Sequence, residues 1–274
     1  MAIRRPLLSL AHLTVLDAAP DALLEAAAET GFDAVGLRIV PPLPTDTIVP
    51  VVDDWPLQRR LKAIMRDTGV AVLDVEAIWL MPHTQVSALG PALDLAADLG
   101  ARHVLTVGHD PDWQRMGDNF ASLCEAAHAR GLRPMLEFIP YAVCASLPDA
   151  DRLLAAAAPG RAGLLVDALH LSRAGGTPQD IKRYDATLFS YLHLSDAPAA
   201  APAADDLRNE ARGGRLYPGE GGLWLKDFVA AFPPLTPIAI EAPCSARRHL
   251  PPKERAQLAM AATLRLLSDS ATGG

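Results

Sequence analysis

Paired cysteines, a membrane segment and a basic tract are all missing from this chain, and each absence removes a class of function. Its 274 residues hold three cysteines, Cys124, Cys144 and Cys244. They form no CxxC pair and cannot all be bridged, which argues against a disulfide scaffold and against a thiolate zinc cluster. A cytoplasmic, reducing location is expected. No apolar run reaches the roughly 18 residues that a membrane span needs. The start, Met1 to Leu8, is basic and then apolar in the manner of a signal peptide, but His12 and Asp17 interrupt the apolar stretch and the pattern runs on into a helical segment. Nor is there a basic run that could track a phosphate backbone. Lys and Arg number 25 against 32 Asp and Glu, a net charge of −7, which weighs against extended nucleic-acid binding. The expected partner is a small-molecule substrate, with no nucleic acid and no membrane, and homo-oligomerisation is left open.

What is present is a globular composition, 50% hydrophobic and 21% charged, at a length close to the roughly 250 residues of a single closed α/β barrel. Short runs rich in Val, Ile and Leu alternate with longer Ala/Leu-rich segments charged on one face. Strands are expected near Leu7–Leu13, Ala34–Val40, Ala71–Ile78, His103–Gly108, Pro134–Ile139, Gly163–Leu169, Ser190–Ser195 and Ile238–Ala242. Helices are expected over Asp21–Thr30, Pro56–Thr68, Ser87–Leu99, Asp112–Arg130, Asp149–Ala157, Pro178–Tyr184, Leu223–Ala230 and Pro252–Ser268. Gly31, Gly69, Gly100 and Gly131 each follow a helix, where a left-handed cap favours glycine.

Strands separated by helices run parallel with right-handed crossovers, and eight such units most economically make a (β/α)8 TIM barrel, one domain over 1–274. An open doubly wound sheet is the runner-up, but no GxGxxG turn follows the first strand. The segment 197–222, Pro/Ala-rich and then Arg/Gly-rich, is too long for an ordinary βα connection. In a barrel it is a long loop over the mouth after strand seven. The last residues, Ser268–Gly274, read as a frayed tail.

A barrel enzyme builds its site at the C-terminal ends of the strands. Four polar residues interrupt apolar strands there: Glu137, Asp167, His193 and Glu241. An acid at a strand end commonly caps the next helix. Three carboxylates converging on one mouth, however, repel one another unless something neutralises them. One divalent cation resolves that conflict, and three carboxylates with one imidazole suit Mn²⁺, Mg²⁺, Co²⁺ or Zn²⁺.

At this point the chain resembles the xylose-isomerase-like barrels, which include ketose 3-epimerases, hydroxypyruvate isomerase, inosose isomerases and dehydratases, and endonuclease IV. The resemblance is specific from about Leu136 to Pro243. It implies that Glu137, Asp167, His193 and Glu241 hold the metal and that Glu137 and Glu241 exchange a proton with the substrate. The stretch Val166-Asp167-Ala168-Leu169-His170 is similar to the family's D-x-x-H, which implies that His170 points to the substrate. Gly214-Arg215-Leu216-Tyr217-Pro218-Gly219-Glu220-Gly221 is similar to the Arg-x-x-Pro-Gly-x-Gly loop, which assigns Arg215 to a substrate oxygen, with Arg212 and Arg208 as substitutes. The chain departs from its relatives at Glu76, where a His is common, and at Arg38, where an acid is common.

The implied reaction is isomerisation or epimerisation of a sugar, sugar phosphate or hydroxy-keto acid through a metal-stabilised enediolate. The same site could serve a dehydratase acting on a cyclic polyol or keto acid. The Arg-rich segment Arg208–Arg215, with Arg38, would suit a carboxylate on such a substrate. A repair nuclease needs further His ligands and a DNA-binding face, and an inert binding barrel is the remaining alternative. His12, Glu76 and His109 are further candidates to ring the substrate, with Trp79, Trp113 and Tyr141 as an apolar wall. His83, His103, His128 and His249 read as surface or packing residues.

Overall fold

The computed structural model of the chain describes residues 5–43 and 45–271. The eight expected strands are β1 (Leu8–Ala11), β2 (Ala34–Arg38), β3 (Ala71–Leu80), β4 (His103–Gly108), β5 (Arg133–Glu137), β6 (Gly163–Asp167), β7 (Leu192–Leu194) and β8 (Ile238–Ile240). Each lies parallel to the next in sequence order. Leu8 and Leu10 of β1 pair with Ile238 and Ile240 of β8, which closes the sheet into a (β/α)8 barrel.

The helices are α1 (Pro20–Thr30), α2 (Trp55–Thr68), α3 (Gly90–Asp98), α4 (Trp113–His128), α5 (Leu147–Ala157), α6 (Ala168–Arg173), α7 (Pro178–Ile181), α8 (Leu207–Gly213), α9 (Leu225–Ala230) and α10 (Pro252–Ala271). Their ends follow local chemistry. Asp54 opens α2 by accepting the Leu57 N–H at 2.9 Å, and Gly69 closes it with φ of +79°, a left-handed cap that costs a glycine nothing. The helix expected over Ser87–Leu99 is divided: a 3-10 turn covers Val86–Leu89 and α3 begins at Gly90. Pro91 enforces this, because it has no N–H to donate to a preceding helical turn.

Two helices escape the sequence pattern. β6 stops at Asp167 and α6 starts at the next residue, where the apolar run had suggested a strand as far as Leu169. Ala168 and Leu169 are buried in either conformation, so hydrophobicity alone does not separate the two. The segment 197–222 contains a 3-10 turn at Ala204–Asp206 and α8. α10 continues past Ser268 to Ala271; the rest of the expected tail, and Met1–Arg4 of the signal-like start, lie outside the described residues. Among the described residues no helix is long and apolar enough to cross a membrane.

Strand alternation divides the core into two layers. Leu136, Leu164, Val166, Leu192 and Ile240 face outwards into the layer beneath the helices. Leu105, Val107, Met135, Leu165, Tyr191 and Ala239 fill the barrel interior. Each fully buried Leu or Val in either layer contributes about 1.5–3 kcal/mol, so the strands cannot slip by one residue without turning one layer inside out.

Candidate metal centre

The interior layer positions the site. Two residues after Met135, Leu165, Tyr191 and Ala239 come Glu137, Asp167, His193 and Glu241, so the period of two puts all four side chains inside the barrel at its C-terminal rim. Each offers a ligand atom, and these atoms all lie within 4.8 Å of one another. His193 Nδ1 is 3.5 Å from Glu137 Oε1, 3.5 Å from Glu241 Oε2 and 3.9 Å from Asp167 Oδ2. Glu137 Oε1 and both ring nitrogens of His193 are buried without a hydrogen-bond partner. Buried polar atoms are ordinarily satisfied, and a buried set of acceptor oxygens around an imidazole fits a divalent ion.

Asp167 does two jobs at once. Its Oδ1 accepts the Leu169 and His170 N–H groups at 2.7 and 3.1 Å and so caps α6. Its Oδ2 faces the cluster and receives Arg215 Nη1 at 2.5 Å. One oxygen of this strand-end acid therefore caps a helix while the other faces the candidate ligand cluster.

Arg215 is 1% exposed. Besides Asp167 it reaches Glu241 Oε2 at 3.0 Å through Nη2, donates from Nη1 to Ser195 Oγ and the Glu241 carbonyl, each at 3.0 Å, and donates from Nε to the Ala211 carbonyl at 2.8 Å. It thus holds two of the four candidate ligands, a placement the motif did not reveal. Three carboxylates balance one dication and this guanidinium when the imidazole is neutral.

The shared charge separates the titrations. Burial pushes the Glu137 carboxyl up to about 7. Burial acts on Glu241 in the same sense, but His193 and Arg215 beside it outweigh that and hold its carboxyl well below the usual carboxylate range. Burial alone would lower the His193 imidazole, yet Glu241 and Glu137 keep it well above the ordinary histidine range.

The other expected residues divide. His170 stands on the first turn of α6 with Nε2 3.4 Å from Arg215 Nη2 and its ring edge-on to Tyr141; burial lowers its pKa to about 4, so it is neutral. Glu76 and Arg38 face each other at 3.7 Å. Burial, then Asp74 and Glu241, push the Glu76 carboxyl up to about 8. Gly36 makes room for it, since a Cβ there would come within 2.1 Å of Glu76 Oε1. Arg38, Glu76, Glu137, His170, Arg212 and Arg215 all border a small cavity over the cluster, about 40 Å³, together with Trp79 and Tyr141.

His12 is not in that wall. Its Nδ1 accepts the Arg38 N–H at 3.2 Å and its Nε2 faces the Ala18 carbonyl at 3.0 Å, so both nitrogens serve the backbone. His109 is similarly engaged, accepting the Val143 N–H at 3.2 Å and packing edge-on to Trp79. Trp113 lies under the Arg152 guanidinium, outside the cavity wall.

Sequence reasoning missed Asp196. It is 1% exposed, and it accepts the N–H groups of Ala197 and Leu223 at Oδ1 and of Gly219 and Gly221 at Oδ2, at 2.9–3.1 Å. One carboxylate thereby gathers the turn that follows Arg215. A carboxylate two residues after a strand in a glycine-rich context was the available signal, but its four donors are up to 27 residues away. Tyr191 is a second omission: its hydroxyl donates to Asp74 Oδ2 at 3.1 Å inside the barrel.

The description "xylose isomerase-like TIM barrel" matches residues 24–266, and the chain belongs to that family. Among solved structures, the IolI protein with a bound zinc atom is 18% identical with a TM-score of 0.78, covering 96% of this chain and 98% of its own. The probable 3-DHS dehydratase AsbF of Bacillus anthracis, involved in petrobactin synthesis, is 13% identical with a TM-score of 0.73, covering 93% and 98%. The 3-keto-D-glucoside 4-epimerase YcjR of E. coli is 15% identical with a TM-score of 0.70, covering 96% and 100%. At these identities the likeness is one of fold. No curated protein matches the chain in sequence.

Proposed function

We propose that the chain is a divalent-cation-dependent isomerase or epimerase of a small hydroxycarbonyl compound: a sugar, a sugar phosphate or a hydroxy-keto acid. The observation that carries this reading is the convergence of Glu137, Asp167, His193 and Glu241 in one buried cluster at the barrel mouth. These four residues would hold the cation, which would draw electron density from the substrate's carbonyl and hydroxyl oxygens and acidify the C–H between them. The protein's own groups do the rest. Glu241, kept ionised by Arg215, takes the proton, and Glu137 returns one from the opposite side. Return to the same carbon inverts it, whereas delivery to the neighbouring carbon interconverts aldose and ketose. Neutral His170 and the Arg212 guanidinium orient the substrate's hydroxyls, with Glu76 as a further donor, while Trp79 and Tyr141 exclude water. Arg215 acts through the carboxylates it holds, and His12 fixes the β1 and β2 ends rather than touching substrate.

One observation favours a dehydratase instead. Arg38 lines the cavity with Nε and Nη1 free of hydrogen-bond partners, which suits a substrate carboxylate. In that reaction Glu241 removes the C–H proton, the C–O bond to the β-hydroxyl breaks, and Glu137 protonates the departing oxygen to give water. The three free cysteines, two of them buried, accord with a cytoplasmic enzyme.

The test is metal analysis of the purified chain followed by incubation in D2O with ketoses, hydroxypyruvate and cyclic polyols. Deuterium in recovered substrate or isomer without loss of water supports the first reading, and dehydrated product supports the second. No cation at the cluster after reconstitution, or neither exchange nor dehydration by the fully loaded protein, overturns both.

A further inference from the structure

Beside the small cavity over the cluster lies a larger one, about 450 Å³, between the 3-10 turn that follows β1 and the connection from β8 to α10. Leu13 and Arg212 border both cavities. In a chain of net charge −7, this wall is cationic: Arg212, Arg248 and Arg255 face one carboxylate, Asp17. None of the roles described so far uses Arg248 or Arg255.

The three guanidinium groups are only partly committed. The Arg255 side chain is 5% exposed, and its Nη2 meets Asp17 Oδ1 at 2.5 Å, yet its Nε is buried without a partner. Leaving a buried charged donor unpaired is expensive. Arg248 is exposed, and its guanidinium makes no hydrogen bond or ion pair among the described residues. Arg212 donates through Nη2 to Asp46 at 2.8 Å, which leaves its Nη1 and Nε uncommitted. The neighbouring Ser245 hydroxyl, also in the wall, can donate as well. Fork-shaped donors on several sides of a concave site are what a tetrahedral or planar oxyanion requires.

We infer that this second cavity binds an oxyanion, the phosphate or carboxylate end of the substrate whose hydroxycarbonyl end reaches the Glu137–Glu241 cluster. The assignment of the reacting end rests on the function proposed above; the anion site itself does not. Arg248 and Arg255 clamp the oxyanion, Ser245 donates to it, and Arg212 stands at the passage between the two cavities. The enzyme then selects anionic over uncharged hydroxycarbonyl compounds.

The direct test is calorimetric titration of the full chain with inorganic phosphate, repeated after chelation so that phosphate on the cation is not counted. Binding that survives chelation is expected, and Arg248→Ala should weaken it roughly 10-fold to 100-fold, the value of a hydrogen bond to a charged group. Arg255→Lys, which retains the charge opposite Asp17 but not the fork, should weaken it as well and guards against a variant that merely fails to fold. Absence of phosphate binding in the chelated wild type, or equal binding in wild type and both variants, overturns the inference. Kinetics distinguish the sources of the anion: competitive inhibition by phosphate, with a KM in Arg248→Ala that rises more for an anionic substrate than for its uncharged counterpart, identifies the substrate's own end. Inhibition or activation that is not competitive overturns that assignment in favour of a separate anion. Phosphate binding without any solvent exchange would retain the site and reject the proposed reaction.

Discussion

Glu137 and Glu241 have the same side chain and different neighbours, and the neighbours set their roles. His193 and Arg215, the latter 3.0 Å away, together hold the Glu241 carboxyl low, whereas burial dominates at Glu137. Glu137→Gln and Glu241→Gln retain an oxygen near the cation but remove, respectively, the group that returns the proton and the group that takes it. Each should lower turnover about 10²–10⁴-fold, measured at saturating cation with occupancy checked on the same sample; normal C–H exchange by both loaded variants would transfer the base role to His170 or Glu76. Arg215→Ala leaves Asp167 and Glu241 buried without their counter-charge, which should cost about 3–5 kcal/mol in the cation-free protein. A bound dication should restore most of that loss. Thermal melts with and without the ion check this, and an equal loss in both states would mean that the guanidinium does not balance those carboxylates. His193 provides the pH dependence. Its raised pKa means that the cation-free protein carries a proton there, which must leave before the nitrogen can act as a ligand. Cation affinity should therefore rise with pH and fall as acid returns the proton. Calorimetry in two buffers of different ionisation enthalpy counts the proton released, and no release would contradict the assignment.

At the scale of elements, the decisive piece is the stretch from β7 to α9. Its order comes from Asp196, whose two oxygens gather four backbone N–H groups, and from Arg173 of α6, which meets Glu210 of α8 at 2.7 and 2.8 Å. Arg247 adds a pair with Glu220 at 2.7 Å while lying over the Tyr217 ring. These contacts place Leu216 against Asp196 in an isolated bridge and Arg215 one residue before it. Asp196→Ala removes both acceptor oxygens from those four N–H groups, and the buried Ala197 N–H left unpaired costs about 1–3 kcal/mol. The expected result is a destabilised protein in which Arg215 no longer reaches both carboxylates, with turnover reduced even where the fold survives. Chemical denaturation alongside kinetics tests it; full activity in a folded Asp196→Ala protein would show that the turn holds Arg215 without this anchor.

Over the whole molecule, the barrel brings together four strand ends that are up to 104 positions apart, and the candidate ligands repel one another until something neutralises them. Cation binding should therefore stabilise the entire domain. At a free concentration 100 times Kd the gain is about 2.7 kcal/mol, visible as a rise in Tm that a chelator reverses. A Tm indifferent to Mn²⁺, Mg²⁺, Co²⁺ and Zn²⁺ would count against a cation at this cluster.

The alternation of apolar strands with amphipathic helices, and the period of two within each strand, were readable along the chain. Together they determined that eight parallel strands form and that Glu137, Asp167, His193 and Glu241 share the interior face of their strand ends, because alternation is a local property of the backbone. Burial hid other features: a run such as Ala168-Leu169 is apolar whether it continues β6 or begins α6, and only the Asp167 cap decides. Likewise, nothing local in His12 shows that both its nitrogens serve backbone groups, and nothing in the motif around Arg215 shows that it grips Asp167, 48 residues away. Those partners meet because the fold sets the strand ends side by side, β1 beside β2 and β6 beside β7. Long-range electrostatics and hydrogen bonding therefore belong to the tertiary structure, and with them the division of labour among the charged groups at the barrel mouth.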